Sequence, residues 1–164
     1  LEFRVETLLD RRAPLARRAV AVGNFDGVHR GHETLLRACV EAAGASAATP
    51  AALSFDPHPA AVVSPRGAPP RIQTRASQKR RLREIGIAEL VHLRFDETVA
   101  RLTPAEFVEG ALVDGVNARS VVVGHGFRFG ASRAGDVDAL RVLGRGRFET
   151  IEVPAIEDGG LRVS

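Results

Sequence analysis

Two histidines three residues apart, His29 and His32, stand around Gly31 in the stretch VGNFDGVHRGHETLL, residues 22–36. An apolar run precedes them, and a turn-rich segment, Gly23-Asn24-Phe25-Asp26-Gly27, lies between. If the apolar run is a strand and a helix begins near Gly31, the intervening loop carries both imidazoles to the amino end of that helix. Residues three apart share a helix face. The first helical turn presents unpaired backbone amides and a partial positive charge, which attract phosphate. Two imidazoles added there, with Gly31 leaving room for close approach, make a phosphate clamp. It is neither a Walker loop, which ends in GK[ST], nor a GxGxxG loop, whose spacing is absent. A histidine pair at this spacing also suits zinc, but further ligands would have to come from His58, Asp26 or Asp56, and no spacing points to them. No protein-held metal site is therefore expected. The plain alternative is a pair of surface histidines beside a turn.

The elements that must position this pair follow from hydrophobic patterning. Short apolar runs at 19–23, 51–55, 90–93, 120–124 and 148–153 are of strand length and alternate with amphipathic stretches. That alternation is the pattern of βα units, and it predicts an α/β fold: a parallel sheet with helices on both faces. Residues 31–43 place Leu35, Leu36, Cys39, Val40 and Ala43 on one helical face. Gly44 follows as the expected C′ stop. Thr103-Pro104-Ala105-Glu106 is a capping box with proline at N1 and starts a helix through Leu112. Asp136 reads as the N-cap of a helix through Leu143, and 73–85 as a basic helix whose charges form a solvent face. Residues 56–71, rich in proline, and 125–135, rich in glycine and arginine, resist the pattern. Both follow strands, where ligands gather in an open α/β sheet.

Composition limits the function classes. A chain of 164 residues is one domain's worth, with 45% hydrophobic and 26% charged residues, as in ordinary globular proteins. No apolar run approaches the roughly 20 residues of a membrane span, and no signal peptide opens the chain, so no membrane role is expected. Cys39 is the only cysteine, which rules out an internal disulfide and fits a cytoplasmic location. The net charge of +3 is carried by arginines spread along the sequence, with Lys79 the only lysine. No aromatic-basic interleaving or helix-turn-helix pattern supports nucleic-acid binding. Cys39 and His92, each inside an apolar segment, read as structural.

The motif GNFDGVHRGH, residues 23–32, resembles the HxGH signature of the nucleotidyltransferase superfamily, in the form carried by the FAD synthetase (FMN adenylyltransferase) module of bacterial bifunctional riboflavin kinases. Three further stretches resemble that family in order and spacing: SFDPHP at 54–59, RLTPAEFV at 101–108 and GFRFGASRAGD at 126–136. The resemblance implies a Rossmann-like nucleotidyltransferase fold and transfer of AMP from ATP to FMN, giving FAD and pyrophosphate. Mg²⁺ would be bound mainly through substrate phosphates. It assigns His29 and His32 to catalysis, Gly23, Asn24, Phe25, Asp26, Gly31 and Ser164 to ATP, and Pro57, His58, Pro59, Gly126, Phe127, Arg128 and Phe129 to the flavin. On residue type alone Phe127 and Phe129 also alternate as in a half-buried strand, Pro57 and Pro59 also suit a stiff loop, and Arg128 and Arg133 also suit solvent.

Two departures stand out. The family places Asp or Asn between a glycine-x pair and Phe-x-Phe-Gly; this chain has Gly126 there. The family also continues with a Ser-Ser-Thr segment that closes over ATP and with a riboflavin kinase module, whereas this chain stops at Ser164. The expectation is a single, C-terminally incomplete adenylyltransferase domain over 1–164 that binds better than it catalyses. The alternatives are a weakened flavin-nucleotide binding module and a related nucleotidyltransferase with another phosphate acceptor.

Overall fold

The computed structural model describes residues 1–9, 17–64, 66–68, 70–158 and 161–163. Six strands form one sheet: β1 (Phe3–Thr7), β2 (Arg18–Val22), β3 (Thr49–Asp56), β4 (Glu89–Arg94), β5 (Ala118–Gly124) and β6 (Glu149–Val153). Their spatial order is β1-β4-β3-β2-β5-β6. Neighbours run parallel except β1, which is antiparallel to β4. Each strand expected from the apolar runs is present with its ends moved by at most two residues. β1 was not expected: it is an edge strand, and it alternates half-exposed Val5 with the ion pair of Arg4 and Glu6 (2.9 Å). A separate two-stranded hairpin, β7 (Ile156–Asp158) with β8 (Leu161–Val163), follows the sheet.

From β2 the chain steps outward to β3 and β4, then returns to place β5 on the other side of β2. Connections leaving β2 and β5 therefore diverge, opening a crevice at their carboxyl ends. Helix α1 (Arg30–Ala45) crosses from β2 to β3 and α3 (Arg75–Ile85) precedes β4. Between them α2 (Ala60–Val63) forms a single turn inside the proline-rich segment.

Each face of the sheet has its own core. On one, Ala19, Ala21, Ala52, Leu90 and Val122 meet Leu35, Leu36, Cys39 and Ala43 of α1 with Leu82 and Ile85 of α3. On the other, Val20, Val22, Leu53, Val91, Leu93, Val121 and Val123 meet the opposite layer. That layer comprises α4 (Glu97–Ala100), α5 (Pro104–Phe107) and α6 (Val137–Leu143). α5 continues as π-helical turns over Val108–Gly115. The side chains of successive strand residues alternate between the two faces, as the pleat requires. Cys39 is buried between α1 and the sheet, with its thiol donating to the Ala19 carbonyl at 3.1 Å. Burial pushes that thiol up to about 12, so it is inert packing.

The two side-chain caps expected from sequence are formed. The Thr103 hydroxyl accepts from the Glu106 amide (3.2 Å) while the Glu106 carboxylate accepts from the Thr103 amide (2.8 Å). Asp136 accepts from the Ala139 amide at 2.9 Å. The expected stop at Gly44 is corrected: α1 runs through it to Ala45 and is capped at Ser46, whose amide and hydroxyl both donate to the Ala42 carbonyl. Gly44 keeps a right-handed backbone, and a Cβ there would meet nothing within 4 Å. Gly44→Ala should therefore stabilise the protein by about 0.5 kcal/mol, the entropic penalty of a helical glycine. Urea unfolding measures it, and a loss of stability would restore the left-handed cap.

Candidate active site

The crevice at the switch point is a cleft of about 1130 Å³. Its walls come from the loop after β2, the start of α1, the loop after β3 with α2, the α4 and α5 region, and the loop after β5. Gly23, Asn24, Phe25, His29, Gly31 and His32 line one end. Phe55, Pro59, Val63, Phe95, Phe107, Phe127 and Phe129 line an apolar end. His29, His32, His58, His125, Arg128 and Arg133 are the ionisable residues among its described walls, and the lining itself includes no Asp or Glu. Such a lining favours an anionic ligand with a flat apolar part.

The two histidines of the opening motif face each other. His29 is the N-cap of α1, with extended backbone (φ −86°, ψ 176°), and its Nδ1 accepts from the His32 amide at 3.4 Å. The two rings stack with centroids 3.8 Å apart and planes 20° from parallel. Phe25 packs its ring edge-on against His32 at 5.3 Å from beneath and is fully buried. His32 Nδ1 is buried with no hydrogen-bond partner. Burial, and next the nearby His29, lower the His32 pKa to about 4, with the Gly27 carbonyl pulling the other way. In the unliganded protein His32 is a neutral imidazole, and the pair stores hydrogen-bonding capacity rather than two positive charges.

Asp26 turns away from the cleft. Its carboxylate accepts from the backbone amides of Ile72 (2.9 Å) and Gln73 (3.2 Å). The Phe25 carbonyl beside it accepts from the side chains of Gln73 (3.0 Å) and Gln78 (2.9 Å). Segment 72–78 thus braces the histidine loop, and Ile72 covers Gly27 closely. The same segment holds the start of the proline loop through Arg75 on Asp56 at 2.8 Å, and within that loop Arg71 lies 3.6 Å from the same carboxylate. Within the proline loop Pro59 and His58 line the cleft, whereas Pro57 is exposed and lies off its wall.

The remaining charges of α3 form no open basic stripe. Lys79 pairs with Glu6, Arg81 with Glu33 (2.8 Å) and Glu84 (3.3 Å), and Arg80 with Glu84 (3.9 Å). Arg83 donates to the Leu8 carbonyl. Arg75, Arg80, Arg81 and Arg83 are exposed, as expected of a solvent face, and the bonds of Lys79, Arg81 and Arg83 also tie the helix to Glu6, Glu33 and Leu8. His92, buried in β4, faces Glu6 at 3.7 Å through Nε2 and leaves Nδ1 without a partner, so it is structural but only half satisfied.

The glycine-rich loop forms the opposite wall. The Phe127 amide donates to the Gly124 carbonyl at 3.1 Å, closing a four-residue turn in which Gly126 has φ +76°. That third position of a turn with positive φ takes glycine first and asparagine next. Phe127 and Phe129 stack at 5.7 Å, and Phe129, buried, reaches Phe107 at 5.7 Å. Phe129 thus belongs to the core as well as to the wall. Arg128 lies 3.8 Å from Asp136. His125 is held by Glu152 at 3.0 Å, and Glu152 by Arg141 at 2.8 Å. Ser164 lies outside the described residues.

A largely parallel sheet with a cleft at its switch point and a helix start facing it makes this an open α/β protein of the kind that gathers ligands beyond the carboxyl ends of its strands. Comparison with known proteins narrows this. The family model for FAD synthetase matches residues 12–164, and the chain belongs to that family. A bifunctional riboflavin kinase/FMN adenylyltransferase of Pseudomonas fluorescens is 37% identical over 144 residues, 87% of this chain and 46% of the relative. The protein of the same name from Escherichia coli K12 is 33% identical over 154 residues, 93% of this chain and 49% of the relative. The chain spans about half the length of the curated relatives it matches. A crystal structure described as a macrolide-efflux protein from Streptococcus pneumoniae superposes with a TM-score of 0.77 at 29% identity, over 96% of this chain and 51% of that one. Among the described residues no helix is long and apolar enough to cross a membrane.

His32 gives the site a pH signature. Its pKa is about 4 in the folded chain against an ordinary 6.5, so the unfolded chain binds the extra proton between those values. Its contribution to stability is complete above pH 6.5 and is lost as pH falls towards 4. His32→Gln should flatten the acid side of the stability profile in that window, measured by urea unfolding at stepped pH. An unchanged acid slope would show that His32 titrates normally.

Proposed function

We propose that this chain transfers AMP from ATP to FMN, releasing pyrophosphate and forming FAD. The observation that carries the reading is the stacked His29–His32 pair at the start of α1, opening into a cleft with an aromatic end and no carboxylate among its described walls. An oxygen of the FMN phosphate attacks the α-phosphorus of ATP, the bond from that phosphorus to the bridging oxygen breaks, and pyrophosphate leaves with the bond's electron pair. No protein nucleophile is needed, so the protein's task is positioning and charge stabilisation.

His29, His32 and the first-turn amides of α1 with Gly31 take the phosphates, where negative charge brought into contact draws a proton onto the imidazole pair. Gly23, Asn24 and the backbone of Phe25 border the nucleotide, while Asp26 acts at one remove by holding segment 72–78. Pro59, Phe127 and Phe129 frame the isoalloxazine, with Arg128 at its edge. Mg²⁺ would be held mainly by the substrates' own phosphate oxygens, where it supplies charge neutralisation; among the described residues the cleft walls offer no carboxylate cage. As in the relatives' names, we assign a riboflavin kinase module to the natural protein, and a cytoplasmic setting in which both substrates are made.

FAD and pyrophosphate formation from ATP and Mg²⁺ with a panel of acceptors, FMN, pantetheine phosphate, nicotinamide mononucleotide and glycerol phosphate, tests the reading. FMN should be preferred; another acceptor would point to a different nucleotidyltransferase, and binding of FMN and ATP without pyrophosphate to a binding module. His29→Ala and His32→Ala should each lower transfer on the order of 10²-fold, as for one lost donor to developing charge, with the unfolding temperature nearly unmoved. Full activity in either would remove the histidines from the mechanism.

Gly126 offers a gain-of-function test. A Cβ there would meet nothing within 4 Å, and φ +76° is tolerated by asparagine better than by most residues. Gly126→Asn should raise FAD formation by roughly 5-fold or more through an added hydrogen bond to the flavin, and leave ATP affinity unchanged. A folded but slower variant at saturating ATP would show that the glycine is part of a site built around it.

A further inference from the structure

The two ring nitrogens of His58 have different neighbours. The Ala60 amide donates to Nδ1 at 3.1 Å, and Nε2 lies 3.2 Å from Nδ2 of the Asn24 side-chain amide, two donors facing each other unless that amide is reversed. An imidazole nitrogen that accepts a hydrogen bond carries no proton, so in the neutral ring the proton sits on Nε2. Nε2–H is then a donor, and the only atom of the Asn24 amide that can receive it is its oxygen. Which end of an amide is oxygen is settled by such networks. The Asn24 NH₂ is thereby turned away from His58, with both protons available to something else.

Asn24 belongs to the histidine loop after β2 and His58 to the proline-bracketed loop after β3, the adjacent strand; both line the cleft. Their contact is the seam between the imidazole end and the aromatic end. Asn24 lines the cleft at that seam, and an NH₂ freed there suits a phosphate oxygen.

We propose that His58 is a positioning residue. Its tautomer, locked by the Ala60 amide, holds Asn24 with its NH₂ presented to the phosphate of the acceptor nucleotide. The inference rests on the cleft being the adenylyl-transfer site of the preceding section. It makes the two loops one recognition unit, so acceptor recognition depends on a residue that need not touch the acceptor.

Nitrogen chemical shifts of ¹⁵N-labelled wild-type protein at mildly alkaline pH read the tautomer without any turnover, with the His58 resonances assigned by their loss in His58→Gln. Protonated Nε2 with unprotonated Nδ1 is expected; protonated Nδ1, or the averaged shifts of a freely exchanging ring, overturns the lock. Kinetics then test the consequence. His58→Asn keeps an oxygen for the Ala60 amide but is too short to reach Asn24, and kcat/KM for FMN should fall about tenfold with the KM for ATP unmoved. His58→Gln extends an NH₂ to Asn24 and should recover most of that loss. In kcat/KM for FMN Asn24→Ala should match His58→Asn, and the double variant should be no worse than either, because both remove one interaction. Additive losses, an unaffected His58→Asn, or a Gln variant as impaired as the Asn variant would reduce the pair to a structural staple. Should the wild type form no FAD, the adenylyl-transfer reading fails while the nitrogen shifts still judge the tautomer.

Discussion

The close seating of α1 on the centre of the sheet is the constraint on which the site depends. β2 offers alanine at positions 19 and 21 to that helix, and β3 offers Ala52, all without solvent exposure. Small side chains let the helix approach near enough for the Cys39 thiol to reach the Ala19 carbonyl. Larger residues on this face would lift the helix and, with it, the amino-terminal turn that points at the switch point. The opposite face uses valine at 20 and 22, where the helical layer is laid down by larger residues such as Phe107 and Leu112. One strand therefore carries two packing distances, and the nearer one aims the helix at the cleft.

On that platform the histidine pair is held by contacts on three sides. Phe25 lies under His32, His29 stacks on it, and the His29 ring caps the helix that carries both. Burial first, and the neighbouring His29 next, favour the neutral form of His32. A dianionic or more highly charged ligand opposes that balance by Coulomb attraction in a partly desolvated site. His32 is thus poised to take up a proton when such a ligand is present. This differs from a lysine-based loop, whose charge is permanent and must be solvated or paired in the empty protein.

What could be read from the sequence was what local chemistry determines. The strand runs, the Thr103 capping box, the Asp136 cap and the histidine loop depend on neighbours within a few residues, and their patterns survive in a single chain. Gly44 shows the limit of such reading: a glycine at the end of an amphipathic run looks like a stop, yet Ser46 completes the helix through the Ala42 carbonyl. β1 escaped notice because an edge strand with Arg4 and Glu6 on one face has no apolar run to reveal it. Asp26 was assigned to nucleotide by its place in the motif, but its two acceptor bonds go to amides 46 and 47 residues away. No spacing rule links positions that distant, and the glutamines at 73 and 78 carry no motif at all.

The brace explains why the motif's acidic residue can matter without touching a ligand. Segment 72–78 holds the histidine loop through Asp26 and the Phe25 carbonyl, and the proline loop through Asp56. Movement of either loop alone would break hydrogen bonds on the other side of the brace, so the two loops share one energetic fate. The Asn24–His58 contact closes the same circuit from within the cleft. Loops of an open α/β sheet are otherwise its most mobile parts, and a site needing in-line geometry between two substrates loses rate steeply when they drift. On the proposed reading, binding both substrates between loops already tied to each other reduces the ordering that must accompany each turnover. In this chain the burden of preorganisation falls on residues outside the motif, and the motif's histidines act within a frame that α3 and its flanking segment supply.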